Sequence, residues 1–132
     1  AIAAVTKLKS YIDYGTFQPI QIASTVALNE LDDYPFELSA VYKERRELVV
    51  EHLEDLDFNV QESDATMFVW AKLPEKFKKD SLKFSLDILE KSNVAVSPGV
   101  GFGKFGEGYI RIALVENKQR IRQAMKNIKA AL

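Results

Sequence analysis

The chain has 132 residues, 47% hydrophobic and 28% charged, which is enough for one globular domain with a real core. Its net charge of −1 gives no general attraction to nucleic acid or membranes, and no apolar run or signal peptide suggests membrane insertion or export. The absence of cysteine excludes disulfides and cysteine catalysis and is compatible with a cytoplasmic location.

The first part of the chain is predicted to be helical. Apolar residues recur at helical spacing from Ile2 to Ile12, and Gly15 gives an end signal for this first helix. No capping residue precedes it, which favours a truncated start over a naturally trimmed one. A second helix is predicted from Pro19 to Glu30. A third begins at Pro35 and keeps an apolar stripe to about Asp57, consisting of Leu38, Val41, Tyr42, Leu48, Val49, Leu53 and Leu56.

From Phe58 onward, the pattern predicts the order β-β-α-β-β-α. The strands are expected at 58–61, 66–73, 94–96 and 109–115. Asp80 or Ser81 is expected to cap a helix with Leu82, Leu86 and Leu89 on one face. Asn117 is expected to cap the last helix, whose buried stripe is Ile121, Met125, Ile128 and Leu132. This order predicts an α+β fold, in which a small, mostly antiparallel sheet is covered by helices on one side.

A glycine-rich segment separates the last two predicted strands. Five of the six glycines lie between Ser97 and Gly108, a density that indicates unusual dihedrals or close backbone approach. Gly101 to Gly106 matches the dinucleotide fingerprint G-x-G-x-x-G. That fingerprint requires a helix start after the glycines. Here a strand follows Gly108, so a dinucleotide site is not expected, and kinase-type motifs are absent as well.

Arg111 is the candidate binding residue. It lies among the apolar residues Ile110, Ile112 and Leu114 in a predicted buried strand, where an arginine is costly unless it meets an anion. Its planar guanidinium can hold a carboxylate through two parallel hydrogen bonds. The pattern equally allows a structural ion pair with a glutamate of the same domain. A small acidic ligand and a structural role therefore both remain open.

The other candidate residues are better explained structurally. The lone histidine, His52, has no paired nucleophile and makes no metal site with the scattered carboxylates. Ser97 has no histidine to activate it. Arg45-Arg46 could bind an anion but is expected on a solvated charged face. Trp70 is expected in the core because it alternates within a strand. The lysines and glutamate of the loops (Lys76, Lys78, Lys79, Lys104 and Glu107) are expected to be exposed.

Several collinear segments resemble class I/II aminotransferases, the fold type I pyridoxal-phosphate enzymes typified by aspartate aminotransferase. Asn93 to Gly103, followed by Gly106 to Leu114, is similar to the family's V-x-x-x-P-G-x-x-F-G, spacer, G-E-G and arginine-bearing strand. Gln21 with Ala23 and Ala27-Leu28 resembles its Q-x-A…A-L helix. Tyr42 to Arg46 resembles Y-x-x-R-R, and Met67 to Pro74 resembles its aromatic strand. The resemblance covers essentially the whole chain, in order.

The resemblance implies a C-terminal fragment. Residues 1–56 would be connecting helices of a truncated large domain, and 57–132 the small C-terminal domain. The Schiff-base lysine and most ligands of pyridoxal 5'-phosphate would lie upstream, so no catalytic, cofactor-binding or metal-binding residue is expected in this chain. Arg111 matches the family's arginine for the substrate α-carboxylate. The full-length enzyme is then expected to be a cytoplasmic homodimer acting on an amino acid and a 2-oxo acid, whereas this chain alone is expected to be inactive.

Two alternatives remain. Another fold type I enzyme, such as a C–S lyase, could use the same arginine. A free-standing module that binds small carboxylates is the other, and it should lack an exposed apolar face. We expect instead that Ile2, Val5, Ile20 and Ile22 lack partners in the isolated chain and form an exposed apolar patch.

Overall fold

The computed structural model describes residues 1–77 and 80–132, and its elements follow the predicted order. Lys78 and Lys79, predicted to be solvated, lie outside the described residues. Within them, the helices are α1 (Ile2–Ile12), α2 (Gln18–Glu30), α3 (Tyr34–Glu54), α4 (Ser81–Ser92) and α5 (Lys118–Ala131). The strands are β1 (Asn59–Val60), β2 (Phe68–Lys72), β3 (Ser97–Pro98) and β4 (Tyr109–Ala113). In this described part of the chain, no helix has the length and hydropathy to cross a bilayer.

The chain divides into two compact units, Ala1–Leu38 and Ser39–Leu132. In the first unit, the N-cap residue of α1 is Ala1, which makes no side-chain capping hydrogen bond, and no residue of α1 or α2 is buried. The four apolar residues expected to lack partners are indeed exposed, with exposed fractions of 84% for Ile2, 66% for Val5, 55% for Ile20 and 57% for Ile22. Association through this apolar surface, and a domain boundary between residues 56 and 57, stay predictions.

The second unit contains a four-stranded sheet in the order β1-β2-β4-β3, with every neighbouring pair antiparallel. The predicted strand at 94–96 is wrong. Those residues have no regular structure, and the short strand β3 is Ser97–Pro98, which pairs with β4. The β-branched residues Val94 and Val96 favoured a strand locally, but they instead pack against the core as partly buried side chains.

The hydrophobic core lies on one face of this sheet, as predicted. Val69 and Ala71 of β2 and Ile110 of β4 are buried on that face, because alternate residues of a strand point to opposite sides. The helices contribute further buried apolar residues, which are Val49 and Leu53 of α3, Phe84 and Ile88 of α4, and Ile121, Met125 and Ile128 of α5. Phe58, Leu73 and Leu114, which lie next to the ends of the strands, complete the buried core. This arrangement confirms the α+β fold, with the opposite face of the sheet left uncovered by these helices.

The predicted caps are confirmed, but the predicted apolar face of α4 is not the buried one. Asp80 accepts a hydrogen bond from the Lys83 backbone N–H at 2.8 Å, and Asn117 accepts one from Arg120 at 3.0 Å. The face with Leu82, Leu86 and Leu89 is largely exposed. The buried face instead combines Phe84 and Ile88 with Ser81, Ser85 and Ser92. The helix thus carries apolar residues on two faces, and the face with Phe84 and Ile88 packs against the core.

Candidate functional site

Arg111 lies at the centre of β4, on the sheet face opposite the core. It is half-buried, whereas its neighbour Ile110 is only 2% exposed and faces the helices. The sheet register sets Arg111 directly opposite Trp70 of β2 on one side and Ser97 of β3 on the other. Arg111 is therefore not a charge forced into the core. The sheet presents it on the face that the helices leave uncovered.

Two aromatic rings contact the guanidinium group of Arg111. Its central carbon Cζ lies 4.0 Å from the ring centroid of Phe68 and 4.2 Å from that of Phe102. Such distances are typical of favourable cation–π contacts. Phe68 belongs to β2, whereas Phe102 closes the short 3₁₀ helix Gly99–Phe102 in the glycine-rich segment. The glycine-rich segment thus supplies one of the two rings on Arg111.

The guanidinium has no polar partner among residues 1–77 and 80–132. The hydrogen bonds and ion pairs formed by these residues involve other side chains, and none includes the guanidinium of Arg111. The structural ion pair that the sequence allowed is therefore not found within the described residues. An arginine carries five N–H donors in a fixed fork, and none of them takes part in a hydrogen bond or ion pair within the described residues.

Trp70 completes the aromatic surface around Arg111. Its ring stacks on Tyr109 with a centroid distance of 5.8 Å and an interplanar angle of 17°, and it meets Phe102 edge-on at 5.6 Å. Trp70 is only half-buried and lies outside the core, so its predicted core position is wrong. Alternation along β2 was predicted correctly, but the smaller Val69 and Ala71 take the buried face.

The glycine-rich segment is tied to the start of α4 by backbone and side-chain contacts. Glu107 is exposed, as predicted, yet one carboxylate oxygen accepts hydrogen bonds from the backbone N–H groups of Ser81 at 2.7 Å and Gly108 at 2.8 Å. These bonds, chiefly the one from Ser81, lower the pKa of Glu107. The Val100 backbone N–H also donates to the Ser81 hydroxyl at 3.3 Å. The loop therefore has a defined position relative to α4.

Gly99 and Gly106 allow the two ends of this loop to approach closely. A Cβ atom added to either residue would overlap the carbonyl oxygen of the other. Gly103 and Gly108 serve a different purpose, because their φ angles of 116° and 80° belong to the left-handed region that favours glycine. The dense glycine pattern thus has a conformational explanation that involves no phosphate.

The remaining predicted residues contribute structure rather than chemistry. The solvated face predicted for Arg45-Arg46 is wrong, because both side chains are half-buried and donate to main-chain carbonyls. Arg45 donates to Leu114 at 2.8 Å, and Arg46 donates to Ser63. His52 places Nδ1 2.9 Å from the carbonyl oxygen of Leu48 in its own helix. Lys104 is exposed, as predicted.

Comparison with known proteins identifies the family. The family model for aminotransferase class I and II matches residues 3–128. This chain belongs to the class I and II aminotransferase family. AatC of Rhizobium meliloti (strain 1021) is 54% identical over 132 residues, which cover 99% of this chain and 33% of AatC. An LL-diaminopimelate aminotransferase of Natranaerobius thermophilus is 46% identical over 128 residues, which cover 97% of this chain and 33% of that protein.

A solved aminotransferase from Staphylococcus aureus resembles this chain in structure. The TM-score is 0.88 at 30% sequence identity, over 98% of this chain and 34% of that one. The antiparallel sheet with its helices is therefore the α+β fold found in fold type I aminotransferases. The chain spans about a third of the length of the curated aminotransferases that it matches.

Proposed function

We propose that this chain is the C-terminal part of a longer pyridoxal-phosphate aminotransferase, which moves an amino group between an amino acid and a 2-oxo acid. In this proposal, Arg111 binds the α-carboxylate of the substrate. The observation that carries it is the Arg111 guanidinium, which is held by two rings and has no polar partner among the described residues. Family membership over residues 3–128 supports the reaction class.

The chemistry of the described residues fits a carboxylate better than it fits the cofactor. Pyridoxal phosphate has a pyridine nitrogen, a phosphate and an aldehyde, and each needs its own protein partner. The guanidinium of Arg111 contacts the rings of Phe68 and Phe102, and no carboxylate pairs with it within the described residues. The contacts of Arg111 supply none of these partners. The proposal therefore assigns the cofactor-binding lysine and the phosphate ligands to the rest of the longer protein.

What Arg111 contributes is orientation. A carboxylate bound by two parallel N–H···O bonds is fixed in position and in plane, so the substrate Cα would be held in one orientation relative to the reacting groups. Fixing that orientation removes much of the entropic cost of the reaction. When bound, the cofactor would supply the electron sink that lets a proton leave Cα. A homodimeric, cytoplasmic enzyme is part of the same proposal and rests on the resemblance.

The test is an Arg111 variant of the longer protein that contains this chain. Removing one partner of a desolvated charge pair typically costs about 2–5 kcal/mol, so Arg111→Ala should lower kcat/KM for an α-amino acid by roughly thirtyfold to several thousandfold. Arg111→Lys should recover little of it, because lysine lacks the bidentate fork. For a simple primary amine without a carboxylate, Arg111→Ala should lower kcat/KM far less than it does for the amino acid.

Arg122→Ala serves as the matched control, since Arg122 is an exposed arginine of α5. It should leave kcat/KM unchanged. An Arg111→Ala variant with wild-type kcat/KM for α-amino acids would show that Arg111 does not bind the carboxylate. Product analysis of the wild-type protein would separate transamination from a lyase reaction.

A further inference from the structure

The two rings on Arg111 differ in what else they do in the fold. Phe68 is part of β2 and pairs with Ala113 in the sheet register. Phe102 lies on the glycine-rich loop and is 51% exposed, yet its ring centroid is 4.2 Å from Arg111 Cζ. A half-exposed phenylalanine on a loop contributes little to the core. What sets Phe102 apart from other exposed loop residues is the contact of its ring with the Arg111 guanidinium.

The restraint on Arg111 comes mainly from these aromatic contacts. Within residues 1–77 and 80–132, no hydrogen bond or ion pair fixes its guanidinium. Arginine has many rotamers, and a ligand that must order such a side chain loses binding free energy to do so. Rings packed on the planar group limit its rotation before the ligand arrives, while its N–H edge stays free to donate.

The position of Phe102 is itself determined by several contacts. Trp70 meets its ring edge-on at 5.6 Å, and Trp70 in turn stacks on Tyr109. The loop is bound to the first turn of α4 through Glu107 and through the Val100 N–H. These contacts all lie within the chain, so the fold itself holds the Phe102 ring against Arg111.

From these contacts we infer that Phe102 is a positioning residue, which orders the Arg111 guanidinium in advance for a planar carboxylate. The inference rests on the proposed function for its consequence in catalysis, but the ordering of Arg111 can be measured separately. Phe102 touches no reacting atom in this scheme and acts through Arg111. Losing the ring should therefore weaken substrate binding more than it slows the chemical step.

The experiment compares Phe102→Leu, Phe102→Tyr and Phe105→Leu in the longer protein. Phe105 is the matched control, because it lies in the same loop, is 88% exposed and contacts Lys104 rather than Arg111. We expect Phe102→Leu to raise KM for the amino acid about tenfold, with kcat reduced less than KM is raised. Phe102→Tyr keeps an aromatic ring and should restore KM to near the wild-type value, and Phe105→Leu should leave it unchanged.

A second measurement does not depend on activity. The rate at which an arginine-specific dicarbonyl reagent modifies Arg111, followed by mass spectrometry of its peptide, should rise severalfold in Phe102→Leu but not in Phe105→Leu. Wild-type rates in Phe102→Leu, or equal increases in the two leucine variants, would overturn the inference. If the wild-type protein does not transaminate at all, the proposed function fails, and the modification rates alone decide whether Phe102 orders Arg111.

Discussion

Replacing Gly99 by alanine should destabilise the fold through a clash between backbone segments. Gly99 is buried, and an added Cβ would overlap the Gly106 carbonyl oxygen and lie 2.7 Å from that of Tyr109. Both neighbours are main-chain atoms, so neither can rotate away as a flexible side chain would. Overpacking of this kind costs about 1–3 kcal/mol, and rigid neighbours favour the upper part of that range.

Gly101→Ala is the matched control for this prediction. Gly101 lies in the same 3₁₀ helix and has no atom within 4 Å of an added Cβ. Its φ is also outside the left-handed region. A surface substitution without a clash usually changes the free energy of unfolding by less than about 0.5 kcal/mol.

The assay is urea unfolding of both variants, followed by the fluorescence of the single tryptophan, Trp70. With an m value of about 1.5 kcal/mol per molar urea, a loss of about 2–3 kcal/mol lowers the midpoint by roughly 1.3–2 M. Gly101→Ala should stay within about 0.3 M of the wild-type midpoint on the same scale. Equal midpoints for the Gly99 and Gly101 variants would refute the close approach of residues 99 and 106.

Two further predictions concern pH and the cofactor. Hydrogen bonds from the backbone N–H groups of Ser81 and Gly108 lower the pKa of Glu107 from its usual 4.5. The ionised Glu107 carboxylate therefore stabilises the folded state fully above pH 4.5, and this contribution is lost as pH falls through the lowered pKa. The urea midpoint of wild type should accordingly fall more steeply below pH 4.5 than that of Glu107→Gln, and parallel curves would contradict this. The 132-residue chain mixed with pyridoxal phosphate should show no shift in cofactor absorbance and no transamination. One-to-one cofactor binding at a single lysine would disprove that expectation.

The sequence predicted the element order well because caps, breaks and periodicity are local signals. Asp80 and Asn117 each cap the predicted helix. Of the predicted apolar stripe of α5, Ile121, Met125 and Ile128 are buried, whereas Leu132 is only partly buried. Periodicity does not say which of two faces is buried. Periodicity therefore predicts a core position for Trp70 and a buried Leu82 face on α4, and both predictions are wrong. The sequence does contain a signal against a core position for Trp70. Lys72 lies two residues further along β2 and therefore on the same face, and a lysine is rarely buried.

The contacts around Arg111 could not be predicted in the same way. Arg111 itself is predictable, because a charged side chain among apolar residues of a strand is costly unless it meets an anion. Phe68 and Phe102 reach it from β2 and from the loop, through the sheet register and a loop conformation that no local pattern encodes. Only the cross-strand pairing of β2 with β4 and the fold of the loop bring these rings to one place.

The glycines of the loop can be divided by the constraint that each one meets. Gly99 and Gly106 permit close approach, whereas Gly103 and Gly108 permit left-handed backbone. Gly101 meets neither constraint. These four glycines thus allow the loop conformation in which Phe102 contacts Arg111. A substitution at any of them should therefore disturb both the fold and the ordering of the Arg111 side chain. Phe102→Leu should instead disturb the ordering with little effect on the fold, because its half-exposed ring adds little to the core. The contrast between these two classes of variant separates what the loop does for stability from what it does for ligand binding.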